Sequence, residues 1–247
     1  MPRALLKVEL LQHTVNPEEL ISLGARLCYA GGNSDTLREK ISSADQRGFL
    51  EKLMQMGHLS VLEHASFSFL IEGVSRTLLA QLTRHRIASF SVQSQRYVSY
   101  EKGFGYIVPP AIEELGEEAV REYEAQMQTM HQWYVDWQQK LGACGEKSNE
   151  DARFVLPNAC ETRLVCTMNL RELRHFFALR MCMRAQWEIR AMAEEMFKAC
   201  YKVAPILFAD AGPECLRKGC SEGAKSCGQM RAIKAERTRL RNNEMSV

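Results

Sequence analysis

The sequence predicts an α+β fold: a single domain with a mainly antiparallel sheet packed against several helices, one of them long. Three observations predict it. Two segments, ASFSFLI from Ala65 and TRLVCTMN from Thr162, alternate in polarity with the period of a half-buried strand. One segment after Pro109-Pro110 repeats apolar residues every three or four positions to about Leu141, the period of a helix. Strands and helices interleave without the regular βαβ units of a parallel sheet.

Taken in order, LLKVELLQHT reads as an opening strand. Asn16-Pro17-Glu18-Glu19 reads as a helix start, with an N-cap residue, proline in the first turn and acids facing the helix dipole. A short helix spans Asp45 to Met56 and ends at Gly57. In ASFSFLI, Phe67, Phe69 and Ile71 point inward. From Ser75 to Arg86 the pattern turns helical, with Leu78, Leu79 and Leu82 inward and Gln81, Arg84 and His85 on a shared face. The long helix carries the stripe Ile112, Leu115, Ala119, Tyr123, Met127, Met130, Tyr134, Trp137 and Leu141, a core or subunit surface. LRELRHFFALRMCMR and WEIRAMAEEMFKACYKV are two further helices.

Bulk composition narrows the function. At 247 residues, 46% hydrophobic and 25% charged, the chain is an ordinary globular protein with a sizeable core. A net charge of +2 means that any basic site is a local concentration, which argues against a nucleic-acid binder. No apolar run is long enough for a membrane span. Nine cysteines, an odd number, with no secretory h-region after MPRALLKVELL, point to reduced thiols in a cytoplasmic protein. Cys160, Cys166, Cys182 and Cys200 read as core thiols. Residues 1–212 form the expected domain, and 213–247 a basic tail with eight Lys/Arg against four Asp/Glu. Spacings of five and seven between Cys215, Cys220 and Cys227 do not make a zinc site on their own, so no metal is expected.

The stretch RHRIASFSVQSQRY, from Arg84 to Tyr97, concentrates the chemistry. Arg84, His85 and Arg86 repel one another unless an anion sits beside them. Ser89, Ser91, Ser94, Gln93, Gln95 and Tyr97 offer neutral hydrogen bonds, and Arg96 adds another forked cation. Forked guanidinium groups suit bidentate phosphate recognition. The glycine-rich phosphate loops and the Gly-x-Ser-x-Gly nucleophile are absent. Arg174 and Arg184 read as solvated or surface-paired helix residues.

RHR, seven residues, then Ser94 resembles the signature of the flavin-dependent thymidylate synthases. GHLSVLEHASFSF from Gly57, RFVLPNACETRLV from Arg153, NLRELRHFFALR from Asn169 and AQWEIR from Ala185 match that family in the right order. The resemblance implies reductive methylation of dUMP to dTMP, with methylenetetrahydrofolate as carbon donor and FAD as hydride relay. NADPH would reduce the flavin, tetrahydrofolate would be released, and a homotetramer would share its active sites. It implies FAD contacts from His58, Ser60, Arg84, His85, Arg86, Asn169, Leu170, Arg171 and His175. It implies dUMP contacts from Gln81, Leu82, Thr83, Arg84, Val92, Gln93, Ser94, Gln95, Arg96, Arg153 and Arg180. Arg180 is the implied catalytic residue, stabilising the deprotonated or enolate-like uracil. Val92 stands where Glu or Gln is common in that family, so only its backbone is expected to bind.

One expectation comes from helix geometry alone. Arg171 and His175 share a face, and Arg180 falls on roughly the opposite side at about 100° per residue. The helix is therefore expected to serve two ligand surfaces, belonging to different active sites.

Overall fold

The computed structural model describes residues 1–31 and 33–244. Four strands form the expected antiparallel sheet: β1 (Lys7–His13), β2 (Ser66–Ser75), β3 (Ala88–Val92) and β4 (Glu161–Asn169), in the order β1-β2-β4-β3. Phe67, Phe69 and Ile71 of β2 are fully buried, as the alternation requires. β3 lies inside the RHR stretch and is not apparent from the sequence. Its period is carried by Ala88, Phe90 and Val92 on the half-buried face, against exposed Ser89 and Ser91.

The chain divides into two compact units. The first comprises Met1–Val8, Leu70–Arg84 and Phe90–Cys166. Its core gathers Tyr100, Phe104, Tyr106, Met127, Tyr134, Ala152 and Cys160. Met127 and Tyr134 come from the helix Glu117–Lys140, 24 residues long. That helix starts later than the sequence suggests. Pro110–Glu113 forms a separate turn of helix, and Gly116 at φ 100 resets the chain between them. Its stripe also divides: Leu115, Trp137 and Leu141 are exposed, whereas Val120 and Gln138 are buried. Gly73 of β2 is a required glycine. It has φ +67, and a Cβ there would stand 1.9 Å from the Leu5 carbonyl oxygen.

The second unit comprises Glu9–Phe69, His85–Ser89 and Thr167–Val247. Helices Pro17–Leu27, Arg47–Gln55, Leu170–Arg180 and Trp187–Val203 match their sequence signals. Asn16 holds the cap position of the first, but in a left-handed conformation (φ 44) with no side-chain cap bond. Phe177 meets Phe197 at 5.7 Å and Phe208 at 5.9 Å between ring centres, and Phe67 meets Phe208 at 5.6 Å. These edge-on aromatic contacts make the centre of the unit dry and rigid. The tail is not simply a solvated helix. Met230–Glu244 is helical, and the Arg237 guanidinium lies over the Phe197 ring, 3.8 Å from its centre.

Candidate active site

Three residues of the second unit converge on one buried hydrogen-bond chain. β4 ends at Asn169, whose side-chain oxygen accepts from the Glu172 backbone N–H at 2.9 Å and caps the helix Leu170–Arg180. The Leu170 backbone N–H donates to the Ala65 carbonyl at 2.8 Å, so the start of this helix is pinned twice. Glu172 sits in its first turn and Arg180 in its last, each with the charge that the helix dipole favours. Leu170, Leu173, Phe176 and Phe177 anchor the apolar face.

His85 stands against this helix. Its Nδ1 lies 2.8 Å from Glu172 Oε1, and Arg180 Nε donates to its Nε2 at 3.1 Å. The His85 and Glu172 side chains are 3% and 8% exposed. The Phe176 ring is edge-on to the imidazole at 4.9 Å, and His175 approaches at 5.9 Å. Burial holds the His85 pKa below its usual value. The Glu172 hydrogen bond opposes this, and the Arg180 charge adds to it. A guanidinium can only donate, so Nε2 must accept, and the proton sits on Nδ1 facing Glu172. His85 is therefore neutral and fixed in one tautomer. Arg180 is oriented by a dry relay that ends on a carboxylate.

Helix geometry alone misplaces part of this arrangement. His175 and Arg180 both reach His85. Arg171 turns away to an ion pair with Glu63. Gln81, Arg84 and His85 do not share a helix face, since that helix runs only from Arg76 to Leu82 and Thr83 caps it. The Thr83 hydroxyl donates to the Leu79 carbonyl at 2.8 Å, which closes the helix. Arg174 is no surface residue. It is 4% exposed and pairs with Asp210 at 2.8 Å.

The remaining site candidates fall in both units. In the second, His58 and Ser60 are exposed, His58 directly after Gly57 at φ 77 and Ser60 opening the 3₁₀ turn Ser60–His64. Arg86 is exposed as well. In the first unit, Gln81 and Val92 are half-buried and Leu82 is fully buried. Gln93 N–H pairs with the Arg163 carbonyl at 3.0 Å. Ser94 Oγ accepts from the Arg96 backbone N–H at 3.2 Å, a tight turn that aims the Arg96 side chain. Arg96 Nη2 contacts Glu146 at 2.6 Å and Glu150 at 3.2 Å. Arg153 Nε donates to the Glu150 carbonyl at 3.0 Å. Gln95 is buried, its amide aimed at Cys160 Sγ at 3.7 Å, so that side chain serves the core.

Glu172 is the functional residue that sequence reasoning missed. The signal was available: it is the only acid in LRELRHFFALR, one turn before His175.

The donor set suits a dinucleotide flavin. Arg84 and Arg86 flank neutral His85 in sequence, both exposed, and neither makes an ion pair among the described residues. Two guanidinium groups with no protein carboxylate are what a pyrophosphate requires.

The Thymidylate synthase complementing protein family matches residues 9–206. The chain is 52% identical to the flavin-dependent thymidylate synthase of Geobacter sulfurreducens over 93% of its own length and 97% of that protein. It is 45% identical to that of Clostridium tetani, over 93% and 96% of the two chains. Among solved structures it is similar to the crystal structure of a UMP/dUMP methylase, PolB from Streptomyces cacaoi, bound with 5-Br dUMP. The TM-score is 0.67 at 26% identity, over 83% of this chain and 93% of that one. The chain belongs to the flavin-dependent thymidylate synthase family.

Proposed function

We propose that the chain methylates dUMP at uracil C5 to give dTMP, in de novo dTMP biosynthesis. Methylenetetrahydrofolate donates the carbon and leaves as tetrahydrofolate, and NADPH is the reductant. C5 gains a methyl group and loses a proton, and the carbon, arriving at the formaldehyde level, takes up a hydride. FAD, when bound, relays that hydride from NADPH. The enzyme works as a homotetramer with shared active sites in the cytoplasm.

The observation that carries this reading is the Glu172–His85–Arg180 chain. Attack from C5 requires negative charge to develop on the uracil ring, and a fixed guanidinium lowers its energy. Such a group is most effective when preorganised, because no reorganisation is needed at the moment of reaction. Arg180 is held at Nε by a neutral imidazole. Arg84, Arg86, His58 and Ser60 would hold the flavin, with Asn169, Leu170, Arg171 and His175 from the capped helix start, whereas His85, buried with both ring nitrogens engaged, would act through Arg180. Gln81, Leu82, Thr83, Arg84, Val92, Gln93, Ser94, Gln95, Arg96 and Arg153 hold dUMP, Val92 and Gln95 through the backbone. Arg96 is suited to the monophosphate, since its carboxylate partners are about half exposed and exchange readily.

Flavin titration tests the assignment directly. Quenching of FAD fluorescence by the wild-type chain should weaken about tenfold in Arg86→Ala, the order expected for one lost charge-assisted bond of ~1.5 kcal/mol. Arg121→Ala, on the exposed face of the long helix, should leave it unchanged. Equal binding by wild type and Arg86→Ala would remove Arg86 from the flavin site.

A further inference from the structure

Four cysteines of the second unit line a single cavity: Cys182, Cys215, Cys220 and Cys227. Its volume is about 70 Å³. That is room for an ion or a couple of waters, at roughly 30 Å³ each, and too small for a nucleotide or a flavin. All four are free thiols. Cys215 is buried, Cys182 and Cys227 half-buried, and Cys220 exposed. Sequence pattern alone treats Cys182 as a core thiol and counts three tail cysteines, one short of a tetrahedral set. The fold supplies the fourth, because Cys182 follows two residues after the end of the Leu170–Arg180 helix.

A divalent cation deprotonates the thiols that bind it, so the four sulfurs would act as thiolates on the ion. The backbone around the cavity suits closure on an ion. Cys215 lies in the short 3₁₀ turn Glu214–Leu216. Cys220 and Cys227 lie in irregular chain that Gly219, Gly223 and Gly228 punctuate at positive φ, with open space around each. Among the described residues no three donors already stand at coordination spacing, so binding an ion requires these loops to close. Arg184 lines the same cavity and complements the net negative charge of a tetrathiolate complex.

We propose that Cys182, Cys215, Cys220 and Cys227 form a tetrathiolate site for a soft divalent metal, with zinc the fitting ion. Four cysteines around one pocket are the ligand set of a structural site, with no open coordination position. The ion ties the turn after Arg180 to the tail segment 213–228, and so fixes the C-terminal end of the helix that presents Arg180.

The test uses the full chain, stripped of metal and handled anaerobically, with cobalt(II) as an optical probe. Cobalt should give thiolate charge-transfer absorption and tetrahedral d–d bands that saturate at a single equivalent and vanish when zinc is added. Cys220→Ser and Cys227→Ser, both in loop positions that leave the core intact, should each weaken zinc binding at least tenfold. Cys144→Ser, exposed and away from the cavity, should bind as wild type. Zinc should also raise the melting temperature of the wild type and not of the Cys220→Ser/Cys227→Ser double variant. Absence of the charge-transfer band in the folded wild type, or its persistence in the double variant, would overturn the proposal. None of these readouts requires flavin or dUMP, so they stand apart from the assignment of the reaction.

Discussion

Two arginines, Arg96 of the first unit and Arg174 of the second, use charge in opposite ways. In the first, Arg96 is 39% exposed and shared between Glu146 and Glu150, themselves 45% and 47% exposed. In the second, Arg174 is 4% exposed on Asp210, and Glu172 and His85 are almost fully excluded from solvent. An exposed ion pair contributes about 0–1 kcal/mol and is easily exchanged for another anion. A buried one costs several kcal/mol to break, because the remaining charge has nowhere to go. The contrast teaches which arginines are able to meet a ligand and which hold the fold. Arg96 has exposed, replaceable partners, Arg174 is itself buried, and Arg180 is held at Nε by His85.

Breaking the fixed side should have the largest effect. Arg180→Lys keeps a cation but loses the Nε donor to His85 and the planar fork. Its kcat for dTMP formation should fall on the order of 10²-fold, with a smaller change in KM for dUMP. Next comes Asp210→Ala. Burial alone would raise the Asp210 pKa, but the Arg174 hydrogen bond and charge outweigh it and hold the carboxylate below its usual range. Removing it leaves Arg174 on the Leu207 carbonyl alone, and because Asp210 is itself 40% exposed the loss in chemical denaturation should be about 1–2 kcal/mol.

The neutral state of His85 makes a third prediction. Its folded pKa lies below the unfolded value of about 6.5. The unfolded chain therefore binds a proton first as pH falls. The stability contributed by neutral His85 is complete above about pH 6.5 and is lost below it, down to the folded pKa, at up to ~1.4 kcal/mol per pH unit. Urea midpoints between pH 7 and pH 5 should show this slope in the wild type and a shallower one in His85→Asn. The first unit should give the smallest stability change. Arg96→Gln should alter it by less than about 1 kcal/mol yet raise KM for dUMP roughly tenfold, whereas Glu146→Gln should move neither appreciably. A large loss of stability in Arg96→Gln would erase the distinction between the two arginines.

Much of this was legible in the residues. Alternation identified β2 and β4, and the three-four period identified Trp187–Val203 and the body of the long helix. β3 was hidden because its exposed face is serine and its buried face mixes Ala, Phe and Val, which imitates a polar loop. The end of the helix at Leu82 was hidden for a different reason. The apolar period of Leu78, Leu79 and Leu82 does not show where the helix stops, whereas in the structure Thr83 caps it and His85 packs against Phe176. Arg174 and Glu172 were misjudged or missed because one-dimensional pattern assigns charged residues to solvent. Only their partners, Asp210 and His85, 36 and 87 residues away in sequence, make burial affordable. The RHR motif reads as an anion site because adjacent cations demand one, and the fold leaves Arg84 and Arg86 exposed while burying His85.

The most direct measurement is an anaerobic turnover assay of the wild-type chain with dUMP, methylenetetrahydrofolate and NADPH, with and without FAD, following dTMP by chromatography. The account predicts that dTMP accumulates with FAD and disappears when FAD is omitted. Failure to form dTMP while the bound flavin is reduced by NADPH, or formation at the same rate in flavin-free protein, would contradict it.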